Sequence, residues 1–192
     1  MTYCVALKLD ESLIFMSDTR TNAGIDNVSR FQKMFTWSTP GERVITLMTA
    51  GNLATTQSVV SLLDERSKAP DDRDPTLLRV PTLFQAAKLI GDTLKEVVGS
   101  HREEGQEAEA AFGATLIMGG QIKGMEPRLF LIYPEGNFVE AGLETPFFQI
   151  GEAKYGKPIL VRAYDAEMPF EDVLKLLLVS FDSTVKSNLS VG

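Results

Sequence analysis

The sequence predicts an α+β protein, a four-layer αββα sandwich in which two antiparallel sheets pack face to face with helices outside. Two observations predict this fold. Strand signals and helical spacing come in alternating groups along the chain, in the order strands, two helices, strands, two helices, and such grouping favours antiparallel sheets over a βαβ winding. In addition, 44% of the 192 residues are hydrophobic, which is enough to bury the core of one domain spanning residues 1–192.

Four strands are predicted before the first helix. They are runs rich in β-branched or aromatic residues, or continuous apolar runs suited to buried strands: "TYCVALKL", "LIFMSDT", "RFQKMFTW" and "RVITLMTA". The first two runs are separated by "DES", which predicts a hairpin. The third run alternates in polarity, so that Phe31, Lys33, Phe35 and Trp37 are expected on one face.

Two helices follow, because apolar residues recur at helical spacing in "NLATTQSVVSLLDER" and "TLFQAAKLIGDTLKEVVGS". A polar connector, "HREEGQEAEA", comes after them. The connector is expected to lie outside the core, since it carries almost no apolar residues.

The second half of the chain repeats the order of strands and then helices. Strand signals return in "FGATLIMGG", "RLFLIYPEG", "NFVEAG" and "FFQIGE", and the last of these is predicted as a further short strand of this second set. Pro134 and Gly136 indicate a turn between two of them. Helices are predicted near "KPILVRAY" and in "PFEDVLKLLLVSFDSTVK", where Pro169 stands at the first turn.

Composition excludes several classes of partner and site. The formal net charge is −7 and no basic cluster with interleaved aromatic residues occurs, so a nucleic-acid partner is not expected. Cys4 is the single cysteine, and no cluster of His, Cys, Asp and Glu has ligand spacing, so neither a metal nor a cofactor is expected. No signal peptide and no apolar run of membrane-spanning length is present, which predicts a cytoplasmic protein without membrane association.

The predicted hairpin brings three polar residues together at its open end. If Asp10 and Ser12 flank the turn, paired positions sum to about 22, which sets Asp18 opposite Cys4 and Arg20 opposite Thr2. Asp18 then lies diagonal to Thr2 at roughly 7–8 Å, and the ammonium of Lys33 is the candidate bridge between them. Each piece also has an ordinary explanation, since an Asp at a strand end commonly fixes a turn and a strand Lys usually extends to water.

The order of these segments resembles a known family. Thr2, "SDTRTNAG", "FQKMF", "MTAGNLATTQ" and "IGEAKYG" follow one another as in the proteasome β-subunit family of N-terminal nucleophile hydrolases, and within it as in the bacterial group called Anbu, the ancestral β-subunit. The resemblance covers nearly the whole chain from Thr2. It implies the proteasome-subunit fold, a large homo-oligomer that is either a ring or an open spiral, and an unidentified ATP-dependent partner.

The resemblance also implies roles for single residues. Thr2 matches the nucleophile, whose α-amine becomes the base once Met1 is removed. Asp18 and Lys33 match the charged pair that orients the nucleophile, Gly51 matches the oxyanion position, and Thr21 matches a position that binds the substrate backbone. Separately from these matches, His101 lies in the charged connector and is read as a surface residue, which argues against a Ser-His-Asp triad. Asn52 is placed to cap the helix that follows Gly51.

Departures from the family pattern concern the surroundings of Thr2. Glu152 stands where proteasome subunits have a Ser, and it either holds the amine charged or accepts protons itself. Ser187 and Ser190 lie where the family has an Asp and a Ser after the last long helix, and no Asp is present there. The family continues through further strands where this sequence stops at Gly192.

The leading functional prediction is a threonine-type peptidase that cleaves peptides or unfolded proteins. One alternative keeps the same nucleophile and makes the substrate a small amide, because N-terminal nucleophile folds host several amidohydrolase activities. The other alternative is a catalytically inactive structural subunit of a ring or spiral, in which Met1 stays attached to Thr2.

Overall fold

The computed structural model describes residues 1–22, 28–68, 75–100 and 112–192 of the chain. The strands in these ranges are β1 (Tyr3–Lys8), β2 (Leu13–Ser17), β3 (Arg20–Asn22), β4 (Val28–Arg30), β5 (Met34–Thr39), β6 (Arg43–Gly51), β7 (Ala114–Ile122), β8 (Arg128–Ile132), β9 (Phe138–Glu140) and β10 (Phe147–Gly151). The helices in these ranges are α1 (Leu53–Lys68), α2 (Leu83–Ser100), α3 (Lys157–Ala163) and α4 (Phe170–Ser187). The predicted connector at 101–110, with His101, lies outside the described residues.

Two antiparallel sheets form the middle of the molecule. One has the strand order β10-β1-β2 and the other has the order β5-β6-β7-β8-β9, while β3 and β4 form a separate two-stranded ribbon. Helices α1 and α2 pack on the outer face of the five-stranded sheet, and α3 and α4 pack on the outer face of the three-stranded sheet. The predicted four-layer αββα sandwich is therefore confirmed.

Alternation along β1 explains why the three-stranded sheet is buried on both faces. Tyr3, Val5 and Leu7 face α3 and α4, whereas Cys4 and Ala6 face the other sheet. All five residues are fully buried. A strand with two buried faces reads as a continuous apolar run, and such a strand gains hydrophobic stabilisation from both layers.

The predicted register of the first hairpin is wrong by one residue. Cys4 pairs with Ser17 rather than with Asp18, and Arg20 pairs with Arg30 in the β3–β4 ribbon rather than with Thr2. The prediction assumed a three-residue turn. The backbone N–H of Leu9 instead donates to the carbonyl of Ser12 at 2.9 Å, which makes Asp10 and Glu11 a two-residue turn.

The structure also differs from the sequence prediction in the number and placement of strands. Within residues 1–22 and 28–52, six strands precede α1 instead of the predicted four. The two that the sequence prediction missed, β3 and β4, have three residues each and show no hydrophobic alternation. The last strand of the second set, β10, does not extend the second sheet. It returns to pair with β1, with Tyr3 opposite Gly151, so that both neighbours of β1 end beside residue 2.

None of the helices in the described part of the chain is long and apolar enough to span a lipid bilayer.

Candidate active site

The chain at residues 2 and 3 is held by hydrogen bonds to residues that follow both strands flanking β1. The carbonyl oxygen of Thr2 accepts a hydrogen bond of 2.7 Å from the backbone N–H of Glu152, just after β10. On the other side, the N–H of Tyr3 donates to the Asp18 carboxylate at 2.9 Å, just after β2. The backbone of Thr2 is thus fixed at the end of a paired strand, even though chain termini usually fray.

Asp18 and Lys33 form a buried ion pair beside Thr2. Each is only 5% exposed, and the Lys33 ammonium lies 2.9 Å from both carboxylate oxygens of Asp18. Lys33 also donates to the carbonyl oxygens of Arg20 at 2.6 Å and Met1 at 3.1 Å. These partners use the whole donor capacity of the ammonium, which a buried charge requires.

Lys33 reaches this position because it stands outside the strand that the sequence predicts for it. Strand β5 begins at Met34, and Phe35 and Trp37 pack toward the helix side of the five-stranded sheet, while Phe31 is 36% exposed. The ammonium of Lys33 instead meets Asp18 from the three-stranded sheet. A buried carboxylate without a cation would be costly, so the ion pair prevails over strand alternation.

The same ion pair acts on the amine at the start of the chain. Burial is the main cause that lowers the pKa of the Met1 α-amine below its ordinary value, and the Lys33 ammonium lowers it further. The Asp18 carboxylate raises this pKa, but by less. An amine in these surroundings therefore loses its proton more readily than a solvated one.

Two glycines with positive φ form the walls beside Thr2. Gly151 has φ 90°, and a Cβ atom there would stand 2.6 Å from the carbonyl carbon of Thr2. Gly51 ends β6 with φ 117°, and a Cβ atom there would stand 2.5 Å from the carbonyl oxygen of Gly113. Both positions need glycine, for conformation and for space. The sequence prediction assigned no role to Gly151, although an isolated glycine at a strand end signals such a close approach.

Helix α1 starts directly behind Gly51. The side-chain oxygen of Asn52 accepts a hydrogen bond from the N–H of Thr55 at 3.1 Å, so Asn52 caps the helix as the sequence predicts. The positive end of the helix therefore points at the region in front of Gly51.

A cavity of about 380 Å³ opens in front of these elements. Its lining residues are Met1, Thr2, Thr21, Gln32, Lys33, Thr49, Ala50, Gly51, Leu53, Thr56, Gly151 and Glu152. The structure thus brings five of the predicted site residues, Thr2, Thr21, Lys33, Gly51 and Glu152, around one cavity, with Asp18 directly behind Lys33. Its open space adjoins both Thr2 and Gly51, as a site for attack on a carbonyl group requires.

Glu152 lines this cavity, and both oxygens of its carboxylate accept hydrogen bonds from other residues of the chain. The backbone N–H of Lys154 donates to one oxygen at 2.8 Å, and the side-chain amide of Asn188 donates to the other at 2.5 Å. The Lys154 N–H is the largest cause that lowers the pKa of Glu152, burial opposes it, and the Asn188 amide lowers the pKa further. The group therefore stays anionic at neutral pH.

The structure does not bring the two predicted serines to the cavity. Ser187 is exposed at the end of α4, and the backbone N–H of Ser190 donates to the side-chain oxygen of Asn188 at 3.0 Å. Asn188, which the sequence prediction missed, makes the contact with Glu152 instead. An Asn that ends a helix gives no separate signal for such a role, because Asn is common at helix ends.

Among the residues that the structure describes, no group of three or more His, Cys, Asp and Glu side chains is placed to hold a metal ion.

Comparison with known proteins yields matches among solved structures. No family model matches the chain, and no curated protein matches it. Anbu (ancestral beta-subunit) from Yersinia bercovieri is 48% identical, with a TM-score of 0.90, over 99% of this chain and 78% of that chain. This chain belongs to the Anbu family. Anbu from Hyphomicrobium sp. strain MC1 is 51% identical, with a TM-score of 0.88, over 99% of this chain and 78% of that chain.

A third Anbu structure is described as the helical assembly of the Anbu complex from Pseudomonas aeruginosa. It is 49% identical, with a TM-score of 0.90, over 99% of this chain and 77% of that chain. The Anbu match confirms that the fold of this chain is that of the proteasome β-subunit, and the chain is a proteasome-like, β-subunit-related protein.

Removing one member of the buried ion pair is expected to destabilise the fold. In Asp18→Ala the Lys33 ammonium stays buried without its counter-charge, so the free energy of unfolding should fall by about 3–5 kcal/mol. Adding Lys33→Met should recover part of this loss, because the second change removes the uncompensated charge. Urea unfolding monitored by circular dichroism measures both effects.

The matched control is Asp182→Ala, which breaks the exposed pair of Asp182 with Lys186 on α4. This change should alter the free energy of unfolding by no more than about 0.5 kcal/mol. Equal losses in the two single variants would show that burial of the Asp18–Lys33 pair carries no special weight.

Proposed function

We propose that this chain is a threonine-type peptidase subunit of the N-terminal nucleophile class, with Thr2 as its nucleophile once Met1 is removed. The observation that carries the proposal is the convergence at one cavity of Thr2, the anchored ammonium of Lys33 and the Gly51 wall. A free α-amine at Thr2 would supply the base, and its own hydroxyl would supply the nucleophile.

Up to release of the leaving amine, the proposed reaction needs proton transfers only between the Thr2 hydroxyl, the Thr2 α-amine and the leaving amine. The Thr2 hydroxyl oxygen adds to the scissile carbonyl carbon, and its proton passes to the α-amine. The negative oxygen that forms is stabilised by the backbone N–H of Gly51 at the strand–helix junction. The carbon–nitrogen bond then breaks, the leaving amine takes the proton, and water hydrolyses the ester that remains on Thr2.

The remaining groups would orient this reaction without exchanging protons. Lys33 places a fixed positive charge beside Thr2, because its carbonyl partner on Met1 is two bonds from the Thr2 nitrogen. That charge favours the neutral amine and the deprotonated hydroxyl. Thr21, on the cavity wall, would hydrogen-bond an extended peptide backbone. While Met1 is attached, the Thr2 nitrogen is an amide and cannot serve as the base.

A peptide epoxyketone tests this proposal, because its ketone carbon and its epoxide carbon react with a hydroxyl and a free amine on the same residue. We expect intact mass to show loss of Met1 and then a gain equal to the whole reagent, mapped to Thr2. Thr2→Ser should keep the adduct, whereas Thr2→Ala should abolish it. A processed wild-type chain that forms no adduct would contradict both hydrolase hypotheses and favour the structural subunit. A panel of fluorogenic peptides and small amides then separates peptidase from amidase.

We also propose that the chain assembles with copies of itself through α4. Phe170, Leu174 and Leu178 recur every four residues on this helix and are 54%, 37% and 54% exposed, and Val179 beside them is 56% exposed. Such a stripe on the solvent side of a helix is typical of a protein interface. The helical assembly of the Anbu complex from Pseudomonas aeruginosa supports self-assembly, and the exposed stripe supports α4 as the interface.

The assembly proposal predicts that Leu178→Asp shifts the chain toward the monomer, because it places a charge in the apolar stripe. Light scattering coupled to size exclusion measures the mass. The matched control is Leu143→Asp, at a loop leucine that is 96% exposed and lies outside α4. A wild-type chain that is monomeric at every concentration, or a Leu178→Asp variant that assembles like the control, would contradict the proposal.

The single cysteine, Cys4, is buried and free, which is compatible with the proposed cytoplasmic location. The ATP-dependent partner stays a prediction from the family resemblance.

A further inference from the structure

A buried carboxylate–amide pair lies next to the strand end that holds Thr2. Glu152 is only 6% exposed, and the Asn188 side-chain amide donates to its Oε2 at 2.5 Å. Its Oε1 accepts the N–H of Lys154 at 2.8 Å. Both oxygens of the carboxylate therefore have a donor, and the side chain is fixed from two directions.

Asn188 is itself held in one orientation. Its backbone N–H donates to the carbonyl of Thr184 at 2.9 Å, which ends α4. Its side-chain oxygen accepts the N–H of Ser190 at 3.0 Å. Because a backbone N–H cannot accept a hydrogen bond, this contact fixes which end of the amide is oxygen and leaves the nitrogen facing Glu152.

Glu152 connects this pair to Thr2 through one short stretch of backbone. Its own N–H donates to the Thr2 carbonyl at 2.7 Å. The preceding residue, Gly151, packs so closely on Thr2 that no side chain fits between them. The carboxylate that Asn188 contacts and the amide that holds the Thr2 carbonyl thus belong to one residue.

The segment that follows α4 also contacts the residues just after β2, on the other side of β1. The N–H of Gly192 lies 3.4 Å from the second Asp18 oxygen, and the carbonyl of Gly192 accepts the N–H of Arg20 at 2.7 Å. Val191, which lies between Asn188 and Gly192 in the sequence, is fully buried against the three-stranded sheet. The residues from Asn188 to Gly192 thus contact both strand ends that flank residue 2.

We propose that Asn188 is a positioning residue for Thr2, acting through its hydrogen bond to the Glu152 carboxylate. The proposal rests on the proposed function of Thr2 as the nucleophile. Asn188 does not touch the reacting atoms; it fixes Glu152, and Glu152 fixes the backbone of Thr2. A displacement of about 1 Å is enough to slow a reaction by up to about a hundredfold.

The contacts of Glu152 argue against this carboxylate as the group that takes the proton of the nucleophile. Its oxygens already accept two hydrogen bonds, and those bonds hold its pKa below the ordinary value. The carboxylate is thus hydrogen-bonded and anionic, which suits an anchor better than a base that must accept a proton near neutral pH.

Exchanging donor and acceptor within the pair tests the proposal. Asn188→Ala should lower the maximal rate of Thr2 modification by the epoxyketone about ten- to a hundredfold, with reagent affinity nearly unchanged. Asn188→Asp sets two carboxylates against each other, so Thr2 modification in this variant should be slow at neutral pH. As the pH is lowered and the two carboxylates gain a shared proton, its rate should approach that of the wild type at the same pH. The double variant Glu152→Gln with Asn188→Asp restores a hydrogen bond of reversed direction and should recover the rate to within about threefold.

Asn137→Ala and Asn137→Asp are the matched controls, because Asn137 is exposed in the β8–β9 turn and lies outside the cavity lining. Both should react at the wild-type rate. Thermal unfolding of every variant shows that rates are compared between folded proteins. If Asn188→Ala fails to fold, the Glu152→Gln/Asn188→Asp exchange still decides, since it preserves side-chain volume.

Hydrogen exchange of the Glu152 amide separates failure of this proposal from failure of the proposed function. Asn188→Ala should make that amide exchange its hydrogen faster. The double variant Glu152→Gln with Asn188→Asp should slow the hydrogen exchange again, whether or not Thr2 reacts. A wild-type chain without an adduct overturns the nucleophile, while this exchange still reports on the positioning contact. Wild-type rates and wild-type exchange in Asn188→Ala, or a double variant as slow as the single ones, would overturn the role of Asn188.

Discussion

The carboxylate of Asp18 is the group on which the candidate site depends. It lies at the end of β2, buried, and accepts hydrogen bonds from the Tyr3 backbone and the Lys33 ammonium. One carboxylate thus ties β1, β2 and the segment before β5 together. A buried charge pair contributes little net stability by itself, but removing one partner is costly, so the pair specifies a single arrangement. That arrangement places a cation beside the nitrogen of residue 2.

Close backbone contacts at two glycines, together with the ion pair, fix the position of residue 2. Gly151 lets the end of β10 approach Thr2 more closely than any other residue would allow, and Gly51 does the same for β6 and β7. Rigid strands on both sides are a better support for a reacting group than a loop, because the reacting atoms must stay within a fraction of an ångström of their position. The fold therefore holds residue 2 in a single position.

Much of the architecture is readable from the sequence because hydrophobic periodicity depends on burial. The helices α1, α2 and α4 and the buried strands β1 and β6 each bury one face or both, and their residue patterns show it. The register of the first hairpin and the short β3–β4 ribbon are not readable in this way. They depend on turn length and on hydrogen bonds between polar residues, which leave no periodic pattern. The pairing of β10 with β1 joins residues nearly 150 positions apart, and no local signal encodes it.

The residues of the candidate site likewise fall into those that the sequence reveals and those that it does not. Thr2 and Gly51 are found from a family resemblance carried by short runs of sequence, and Asp18 and Lys33 are found from the predicted hairpin as well; the structure brings the four together. Asn188 has no such run around it. Its contact with Glu152 exists only because the end of α4 and the end of β10 meet in space.

The central claim is that the folded chain places the α-amine of Thr2 in a partly buried site beside a fixed ammonium. The pKa of that amine, measured by NMR on threonine-labelled chain from which Met1 has been removed, tests it most directly. Burial and Lys33 both disfavour the ammonium form, so the account predicts a pKa below the value of about 7.7–8.0 for an ordinary α-amine. A pKa at or above that value in the folded chain would contradict the account, because the amine would then be charged at neutral pH and unable to take the proton.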